Sequence, residues 1–229
     1  MEDPALVERR RAQLTQAAIA CFSEHGYHTT TIRDVAERAD VSIGLIYQYV
    51  GDKEDLLFMA LQAVLDTYMR QIPLALEGIT EPLHRFYVAV QAYARVNGAS
   101  VDATILAYRE TKSLRKERRS AIIRKELETN ELIAACVRDC IDAGLFEAID
   151  VDLFVYQIVM FSHAWALKAW HFAKKMDVDT YVERGLRLML RGVLTRAGMK
   201  RMLKLEASGV VLAVSKIEGG NNNAGNRRL

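Results

Sequence analysis

Apolar residues recur at intervals of three and four along most of the chain, the spacing of an α-helix with one buried face. The 229 residues contain three prolines and are rich in alanine, leucine, arginine and glutamate, a composition that favours helices. Pro73 is predicted to end the fourth helix. Helices are predicted over residues 5–25, 32–39, 43–50, 53–71, 82–97, 101–116 (a helix or a pair of turns), a long segment ending at 143, 151–175 and 180–195. We therefore expect an all-α fold.

Residues 31–53 carry the most distinctive local pattern. Thr31 is a good N-cap, and Asp34 follows three residues later, where an acid can complete a capping box. Behind this cap, an apolar stripe stands at i, i+3, i+4 and i+7: Ile32, Val35, Ala36 and Ala39. Asp40 tolerates a left-handed backbone, and Ser42 can cap a second helix. The pattern predicts two short helices joined by a tight turn.

The second short helix has a face with no evident core to enter. Ile46 and Val50 stand one turn apart and are predicted to point inward. The remaining positions are Ile43, Gly44, Tyr47, Gln48 and Tyr49. Two tyrosines and a glutamine on an exposed helical surface suit contacts with a polar partner. The physical interpretation is a helix–turn–helix whose second helix enters the major groove of DNA.

The segment from residue 22 to residue 57 resembles the DNA-binding domain of the TetR family of bacterial transcriptional regulators. The matching residues stand at fixed spacing: Phe22, Gly26, Tyr27, Thr30, Thr31, Ile32, Val35, Ala36, Ala39, Val41, Ser42, Gly44, Tyr47, Tyr49, Lys53 and Leu56. The sequence departs from the common pattern at Asp40 (usually glycine), Ile43 (often polar or basic) and Val50 (usually phenylalanine). The departure at Ile43 bears on the DNA sequence preference more than on the fold.

The chemistry of the segment and the family resemblance suggest the same DNA contacts. Thr31 and Ser42 stand at helix N-termini, which favour phosphate oxygens. Gln48 can bond an adenine edge bidentately. The other candidates are phosphate or sugar contacts by Tyr47, Tyr49 and Lys53, a close approach at Gly44, a thymine-methyl contact by Ile43 or Leu45, and a groove contact by Arg33, which could equally be a surface residue.

Bulk charge does not explain DNA binding here. The formal net charge is +2, and residues 1–53 hold six lysines and arginines against eight acids, a balance of −2. Contacts with DNA phosphates are therefore expected to be local, from hydroxyls, helix N-termini and a few cations.

Other classes of function receive little support from the sequence. The five histidines show no metal-ligand spacing, and we find neither a nucleophile with a nearby base nor a glycine-rich phosphate loop. We therefore expect no enzyme activity, no cofactor and no metal. Cys21, Cys136 and Cys140, without a secretory segment, indicate reduced thiols and a cytoplasmic location. Cys136 and Cys140 are better explained as core residues than as a redox pair. No apolar run reaches the length of a membrane span.

The family resemblance implies that the second half binds a small molecule and couples it to DNA affinity. Candidate ligand contacts are bulky or polar residues on predicted inward faces: Phe86, Tyr93, Tyr108, Arg109, Gln157, Phe161, His163 and Trp170. Each aromatic among them could instead be a core residue. Between Arg109 and Lys125, eight cations face two acids, which is either a solvated face or a docking site for an anionic effector. With the aromatic-rich helix, this run favours a hydrophobic acid or an acyl-CoA.

The last two long helices are expected to form a homodimer interface. The helix around residues 152–173 is apolar nearly all round, so both of its sides need a cover. In the helix at 180–195, Gly185 and Gly192 stand a heptad apart, where another helix could approach closely. The family resemblance implies the same interface, a four-helix arrangement of two subunits. Two recognition helices about one DNA turn apart would then read a near-palindromic operator.

These observations predict three segments. Residues 1–53 form a helix–turn–helix domain, residues 54–198 a helical effector-binding and dimerisation domain, and residues 199–229 a tail with a turn of helix or a short strand before a disordered, low-complexity end. The expected function is a ligand-responsive repressor released from its operator by a hydrophobic or acyl-CoA-like effector. The alternative is a DNA-binding or architectural module without an effector.

Overall fold

A computed structural model describes residues 3–209, and these residues form an all-α fold, as predicted. The helices are α1 (Pro4–His25), α2 (Ile32–Arg38), α3 (Ile43–Tyr49), α4 (Lys53–Ala75), α5 (Pro82–Ala99), α6 (Val101–Glu110), α7 (Lys116–Asp142), α8 (Val151–Leu167), α9 (Ala169–Phe172), α10 (Val178–Leu190) and α11 (Arg196–Ala207). A 3₁₀ turn at Thr111–Ser113 separates α6 from α7. Within the described residues, the β-type pairing is a single bridge between Phe146 and Leu194.

Helices α1–α3 and the first turns of α4 pack around a small apolar core. We call this unit the head. α1 ends at His25, as predicted, and its C-cap Gly26 has a φ of 84°, which glycine readily adopts. The most buried side chains of the head come from all four helices: Leu14, Ala18, Cys21, Phe22, Val35, Ala36, Ile46, Leu56 and Leu57. These contacts hold the two short helices, each of only seven residues, in place.

Helix α4 connects the head to the rest of the described chain, which we call the body. The prediction that Pro73 ends this helix was wrong, because α4 continues to Ala75. Pro73 lies in the last turn, where one missing N–H costs little, and Leu76 N–H still donates to the Ile72 carbonyl at 3.2 Å. Tyr68 and Ile72, in the last two turns, are buried in the body.

Helix α5 is the centre of the body and packs against α4, α7, α8, α10 and α11. Its side chains are buried on several sides, including Leu83, Phe86, Ala89, Val90, Tyr93 and Ala94. At one end, the Phe86 ring meets those of Phe146 and Phe154, with centroids 5.2 and 6.2 Å away. This cluster fixes the loop between α7 and α8 against α5.

Two segments differ from the predicted helices. The predicted helix at 151–175 ends at Leu167, and the short α9 follows so that the Phe172 ring lies 4.8 Å from that of Tyr181 in α10. The tail begins with the three-turn helix α11, which crosses the predicted boundary at residue 198. Burial of Met202 and Leu205 and an Arg201–Glu81 ion pair at 3.0 Å attach it to the body. The predicted disorder of residues 220–229 lies outside the described residues.

Candidate functional site

Both short helices, α2 and α3, have the predicted capping interactions. Thr31 Oγ1 accepts a hydrogen bond from the Asp34 N–H at 3.2 Å, and Asp34 Oδ2 accepts one from the Thr31 N–H at 2.7 Å. These bonds lower the pKa of the Asp34 carboxyl. Asp40 has the left-handed φ of 51°, and Ser42 Oγ accepts from the Leu45 N–H at 3.1 Å. The Thr31–Asp34 capping box therefore fixes the start of α2, and the left-handed Asp40 and the Ser42 cap fix how α3 leaves α2.

Helix α3 presents a polar face to solvent. Ile46 and Val50 are buried, as predicted. On the other side, Tyr47 has an exposed fraction of 56%, and Gly44 and Gln48 are also exposed. A phenol, an amide and a position without a side chain therefore lie together on one helical surface. This surface is what contact with the edges and phosphates of DNA requires.

The remaining predicted contacts of the head have different surroundings. Thr31, Arg33 and Ser42 are exposed, and the hydroxyls of Thr31 and Ser42 already serve as cap acceptors. Ile43 and Tyr49 are partly buried and pack against the core of the head. Both residues therefore help to hold α3 in addition to any contact that they make with DNA.

Lys53 is held by the head itself. Its Nζ donates hydrogen bonds to the carbonyl oxygens of Tyr27 (2.8 Å), His28 (3.0 Å) and Thr30 (2.8 Å). The ammonium also lies 4.8 Å from the centroid of the Tyr27 ring, a cation–π distance. All three of its donors are used, so Lys53 ties the start of α4 to the loop between α1 and α2. Sequence reasoning missed this role because the partners are backbone atoms.

Two arginines at the start of α7 bind the first turn of α4, and we call these contacts the α4–α7 clamp. Arg115 donates to both oxygens of Glu54, from its main-chain N–H at 2.8 Å and from Nε at 2.6 Å, and also contacts Asp52. Arg118 Nη1 lies 3.3 Å from Glu54 Oε1, and the guanidinium also contacts Asp52 and Asp55. The clamp therefore joins the body to the residues directly after α3.

The pKa values of the clamp acids reflect these contacts. Burial on its own raises the pKa of the Asp52 carboxyl, but hydrogen bonds from the Asp55 N–H and from Arg118 outweigh it and leave that pKa lowered. For Glu54, hydrogen bonds from Arg115 outweigh burial in the same way, so its pKa is lowered too. Both acids are therefore ionised near neutral pH, when the clamp is formed.

A cavity of about 390 Å³ lies inside the body between α4, α5, α6, α7 and α8. Its lining is mainly apolar: Leu61, Val64, Leu65, Tyr68, Tyr93, Thr104, Ala107, Tyr108, Thr111, Ile122, Glu126, Met160 and His163. Tyr108 and Met160 are about half exposed, at 47% and 49%, and therefore stand at its opening. The volume and the few polar groups are typical of a site for a small molecule.

A hydrogen-bond network forms the polar wall of this cavity. His163 Nε2 lies 3.0 Å from the Tyr93 hydroxyl, and Nδ1 lies 2.9 Å from that of Tyr108. The Tyr68 ring stacks on Tyr93 at 4.2 Å, and its hydroxyl donates to Asn97 Oδ1 at 2.6 Å. Burial lowers the pKa of His163 to about 4, so the ring is neutral near pH 7, with one donor and one acceptor nitrogen.

Three of the eight predicted ligand residues line the cavity: Tyr93, Tyr108 and His163. His163, the polar ring predicted on this inward face, has both ring nitrogens hydrogen-bonded to the two tyrosines.

The other five predicted ligand residues lie outside the lining. Phe86 belongs to the aromatic cluster at the far end of α5, and the Phe161 ring stacks on Tyr181 with centroids 4.6 Å apart. Arg109 and Gln157 are exposed, and Trp170 has an exposed fraction of 61%. Arg109, Gln157 and Phe161 are turned away by their helical phase, Phe86 lies two turns before Tyr93 on α5, and Trp170 follows the end of α8 at Leu167. A size or polarity criterion detects none of these differences.

Sequence reasoning missed Tyr68 and Glu126 as cavity residues. A signal was present in each case. Tyr68 continues the apolar stripe of Leu61 and Leu65 at i, i+4 and i+7, and Glu126 stands one turn after the inward-facing Ile122. A charged or phenolic residue in phase with an apolar stripe is a candidate for a cavity wall.

Exposed apolar side chains lie on α8 and α10. On α8, Leu153, Tyr156 and Met160 have exposed fractions of 59%, 36% and 49%, and Leu188 on α10 reaches 71%. Gly185 does not face this surface: a Cβ there would lie 2.1 Å from Cζ of Phe161 in the same chain. The absence of a side chain at Gly185 therefore allows α8 of the same subunit to pack closely against α10.

The basic run from Arg109 to Lys125 divides into two groups. Arg115 and Arg118 form the clamp, and Lys125 pairs with Asp66 on α4. The other five are exposed, and none has an ion-pair partner among the described residues: Arg109, Lys112, Lys116, Arg119 and Arg124. Arg109 and Lys112 directly follow the cavity residues Tyr108 and Thr111, so two of these cations are near its opening.

Comparisons with known proteins decide the family. The family model described as "Bacterial regulatory proteins, tetR family" matches residues 14–60, and "Tetracyclin repressor-like, C-terminal domain" matches residues 80–193. The HTH-type transcriptional regulator HbdR of Aromatoleum sp. (strain CIB) is 49% identical over 210 residues, 92% of each chain. The chain belongs to the TetR family. It is a DNA-binding transcriptional regulator of this family and not an enzyme, and the recognition made from residues 22–57 is confirmed.

Solved structures of bacterial regulatory proteins share the fold. A TetR-family regulatory protein from Rhodococcus RHA1 superposes with a TM-score of 0.72 at 22% identity, covering 80% of this chain and 95% of that one. The fatty acid degradation regulator FadR from Bacillus halodurans gives 0.68 at 22% identity, with 83% and 96% covered. Among residues 3–209, no helix combines the length and the apolarity that a membrane crossing requires.

Proposed function

We propose that this regulator is a homodimeric, ligand-responsive repressor. It binds a near-palindromic operator through α3 and leaves it when a small hydrophobic or acyl-CoA-like effector enters the cavity. In this proposal, residues 1–53 read DNA, residues 54–198 bind the effector and dimerise, and the protein acts in the cytoplasm, where the operator is.

The observation that carries the proposal is the path from the cavity to α3. Helix α6 lines the cavity with Thr104 and Tyr108, and the chain continues through Thr111 to Arg115 and the clamp. The clamp acids belong to the first turn of α4, directly after α3. A ligand that fits the cavity better in one position of α6 would therefore also favour one position of the head.

Dimerisation is supported by the exposed apolar surface of α8 and α10. The side chains at 153, 156, 157 and 160 recur at helical spacing, so they form one stripe, and Gln157 belongs to it as its polar member. An apolar stripe of this kind on a surface is typical of an interface. A two-fold dimer would place two copies of α3 on one side of the assembly, as a near-palindrome requires.

An acyl-CoA-like effector is supported by the distribution of charge. The lining contains no lysine or arginine, whereas the segment from residue 109 to residue 125 holds five exposed cations without ion-pair partners in the described chain, of which Arg109 and Lys112 directly follow cavity residues. An apolar acyl group suits the interior, and the phosphates of coenzyme A suit the cations outside. The name of the structural relative FadR, a fatty acid degradation regulator, agrees with an effector of this class.

A gel-shift experiment tests the proposal. DNA from upstream of the protein's own gene should be shifted, and acyl-CoA esters of graded chain length should remove the shift whereas free coenzyme A should not. At least a tenfold loss of DNA affinity is expected, equal to about 1.4 kcal/mol of coupling. A shift that no acyl-CoA changes would favour the effector-independent module, and the absence of any shift would contradict the repressor.

A further inference from the structure

Glu126 is the single carboxylate of the cavity lining, and its surroundings leave it without a partner. It is partly buried on α7, one turn after Ile122, and its carboxylate forms no hydrogen bond or ion pair with any described residue, although its main-chain carbonyl accepts from Thr129 Oγ1. Burial raises the pKa of its carboxyl. The three basic residues nearest in sequence do not pair with the Glu126 carboxylate. Lys125 pairs with Asp66, and Arg119 and Arg124 are exposed.

The tyrosines of the cavity lie within electrostatic range of this carboxylate. Glu126 raises the pKa values of Tyr68, Tyr93 and Tyr108, in each case in addition to burial. The hydroxyls of these three residues are directed elsewhere, to Asn97, to His163, and to His163 and Met160, respectively. The protein therefore provides an acceptor in the cavity and assigns none of its own donors to it.

A carboxylate without a hydrogen-bond donor is unfavourable once a ligand displaces the water around it. A buried acceptor that loses its water without a new donor costs about 1–3 kcal/mol, and more when it is charged. A ligand that carries a donor at this position avoids that cost. A ligand that carries a carboxylate there adds repulsion between two acids, because the lining has no cation to neutralise it.

We propose that Glu126 determines the specificity of the cavity by accepting a hydrogen bond from a neutral donor, such as a hydroxyl, on the apolar part of the effector. The inference rests on the proposed function, because it concerns the same cavity. It adds that a plain hydrocarbon group and a group ending in a carboxylate are both disfavoured. An ammonium group would form a buried ion pair with Glu126, and the cost of removing its charge from water offsets the attraction, so a hydroxyl is preferred.

Four ring compounds of similar size test this chemistry without DNA or coenzyme A. Cyclohexanol donates and accepts hydrogen bonds, cyclohexanone only accepts, cyclohexanecarboxylate is a charged acceptor and cyclohexylammonium is a charged donor. The full-length protein, labelled with ¹³C at its methionine methyl groups, is titrated with each compound by NMR. The signal of Met160 at the opening, assigned with Met160→Leu, reports the dissociation constants. Cyclohexanol should bind about tenfold more tightly than cyclohexanone, the ratio that one hydrogen bond to a charged acceptor supports.

Substitutions connect that preference to Glu126. Glu126→Gln presents an amide that can also donate to the ketone, so the preference for the alcohol should fall below about threefold. Glu126→Met, which removes the acceptor, should have the same effect. Glu128→Gln, the same exchange at an exposed position of α7, should keep the wild-type ratio. Comparing two ligands on one variant keeps the result independent of small changes in folding.

The outcomes that overturn the inference are specific. They are equal affinities of the wild-type protein for the alcohol and the ketone, no binding of the alcohol, tighter binding of the carboxylate or of cyclohexylammonium, or an unchanged ratio in Glu126→Gln. Failure of acyl-CoA to release DNA in the gel shift, with the alcohol preference intact, would reject the effector class while the role of Glu126 stands.

Discussion

Arg115 binds both carboxylate oxygens of Glu54, 61 residues earlier in the chain, through its main-chain N–H at 2.8 Å and its Nε at 2.6 Å. Glu54 belongs to the first turn of α4, whereas Arg115 follows the 3₁₀ turn that ends the cavity wall. A contact of this kind transmits small shifts because it is bidentate and therefore directional. It connects the end of the cavity wall to the segment that directly follows α3.

Loss of this contact should weaken the response to the effector more than the binding of DNA. We expect Arg115→Gln to bind operator within about threefold of wild type, since exposed ion pairs contribute about 1 kcal/mol or less to stability. Release by effector should weaken by about tenfold, measured by fluorescence anisotropy of labelled operator. Lys125→Gln, which removes the Lys125–Asp66 pair further along α4, is the control and should respond normally. A normal response of Arg115→Gln would remove the clamp from the coupling path.

The stability of the protein should fall between pH 6.5 and pH 5 because His163 is buried in neutral form. Its folded-state pKa of about 4 lies below the ordinary value of 6.5, so the unfolded chain binds the proton more readily in this range. Stability is then present above pH 6.5 and is lost as the pH falls, by about 1–2 kcal/mol down to pH 5. Urea unfolding across this range should show the slope.

Substitution separates His163 from the other titrating groups. His163→Gln should flatten the slope. His84→Gln should change it less, because burial lowers the pKa of His84 by less than that of His163. The pKa values of the clamp acids Asp52 and Glu54 are also lowered, so their contribution is lost only below about pH 4.5. A slope that persists in His163→Gln would show that another group causes it.

The exposed face of α3 predicts two kinds of defect in DNA binding. Tyr47→Ala should weaken binding to every sequence by a similar factor, because a phenol on phosphate or sugar carries no base information. Gln48→Ala should cost about 1–3 kcal/mol on the preferred operator and relax the preference at one base position. A binding selection with randomised operators measures both effects. Uniform losses for Gln48→Ala across all sequences would show that it does not read a base.

Lys53 should contribute to the stability of the head. Lys53→Met removes three hydrogen bonds to backbone carbonyls and should lower the free energy of unfolding by about 2 kcal/mol, measured with urea. The sequence also suggested a phosphate contact at this position. Because all three donors are used within the head, Lys53→Met should leave the slope of log Kd for DNA against log salt concentration unchanged. A slope reduced by about one would show that the phosphate contact forms too.

The apolar stripe on α8 predicts the oligomeric state. Leu153→Arg or Leu188→Arg should convert the dimer to monomers and abolish operator binding, because a charge in the centre of an interface is left unpaired. Leu203→Arg on α11 alters a side chain of comparable exposure, 56%, outside the stripe and should remain dimeric. Sedimentation equilibrium distinguishes the two states. If Leu153→Arg and Leu188→Arg remain dimeric, the interface lies elsewhere on the surface.

The helix–turn–helix could be predicted from the local sequence. The caps at Thr31 and Ser42, the left-handed residue Asp40 and the buried pair Ile46 and Val50 are all where local spacing predicted them. Each depends on residues within one or two helical turns, so short-range hydrogen bonds and periodicity suffice to predict them. The all-α class follows for the same reason.

Tertiary structure alone decided the cavity, the clamp and the surroundings of Lys53. Tyr93, Tyr108 and His163 meet because α5, α6 and α8 pack around one space, and sequence spacing contains no information on which helices do so. The basic run was visible in the sequence, but pairing of Arg115 and Arg118 with α4 depends on how α7 docks. Long-range packing sets the direction of a side chain, and the same residue types serve as core, interface or ligand wall accordingly.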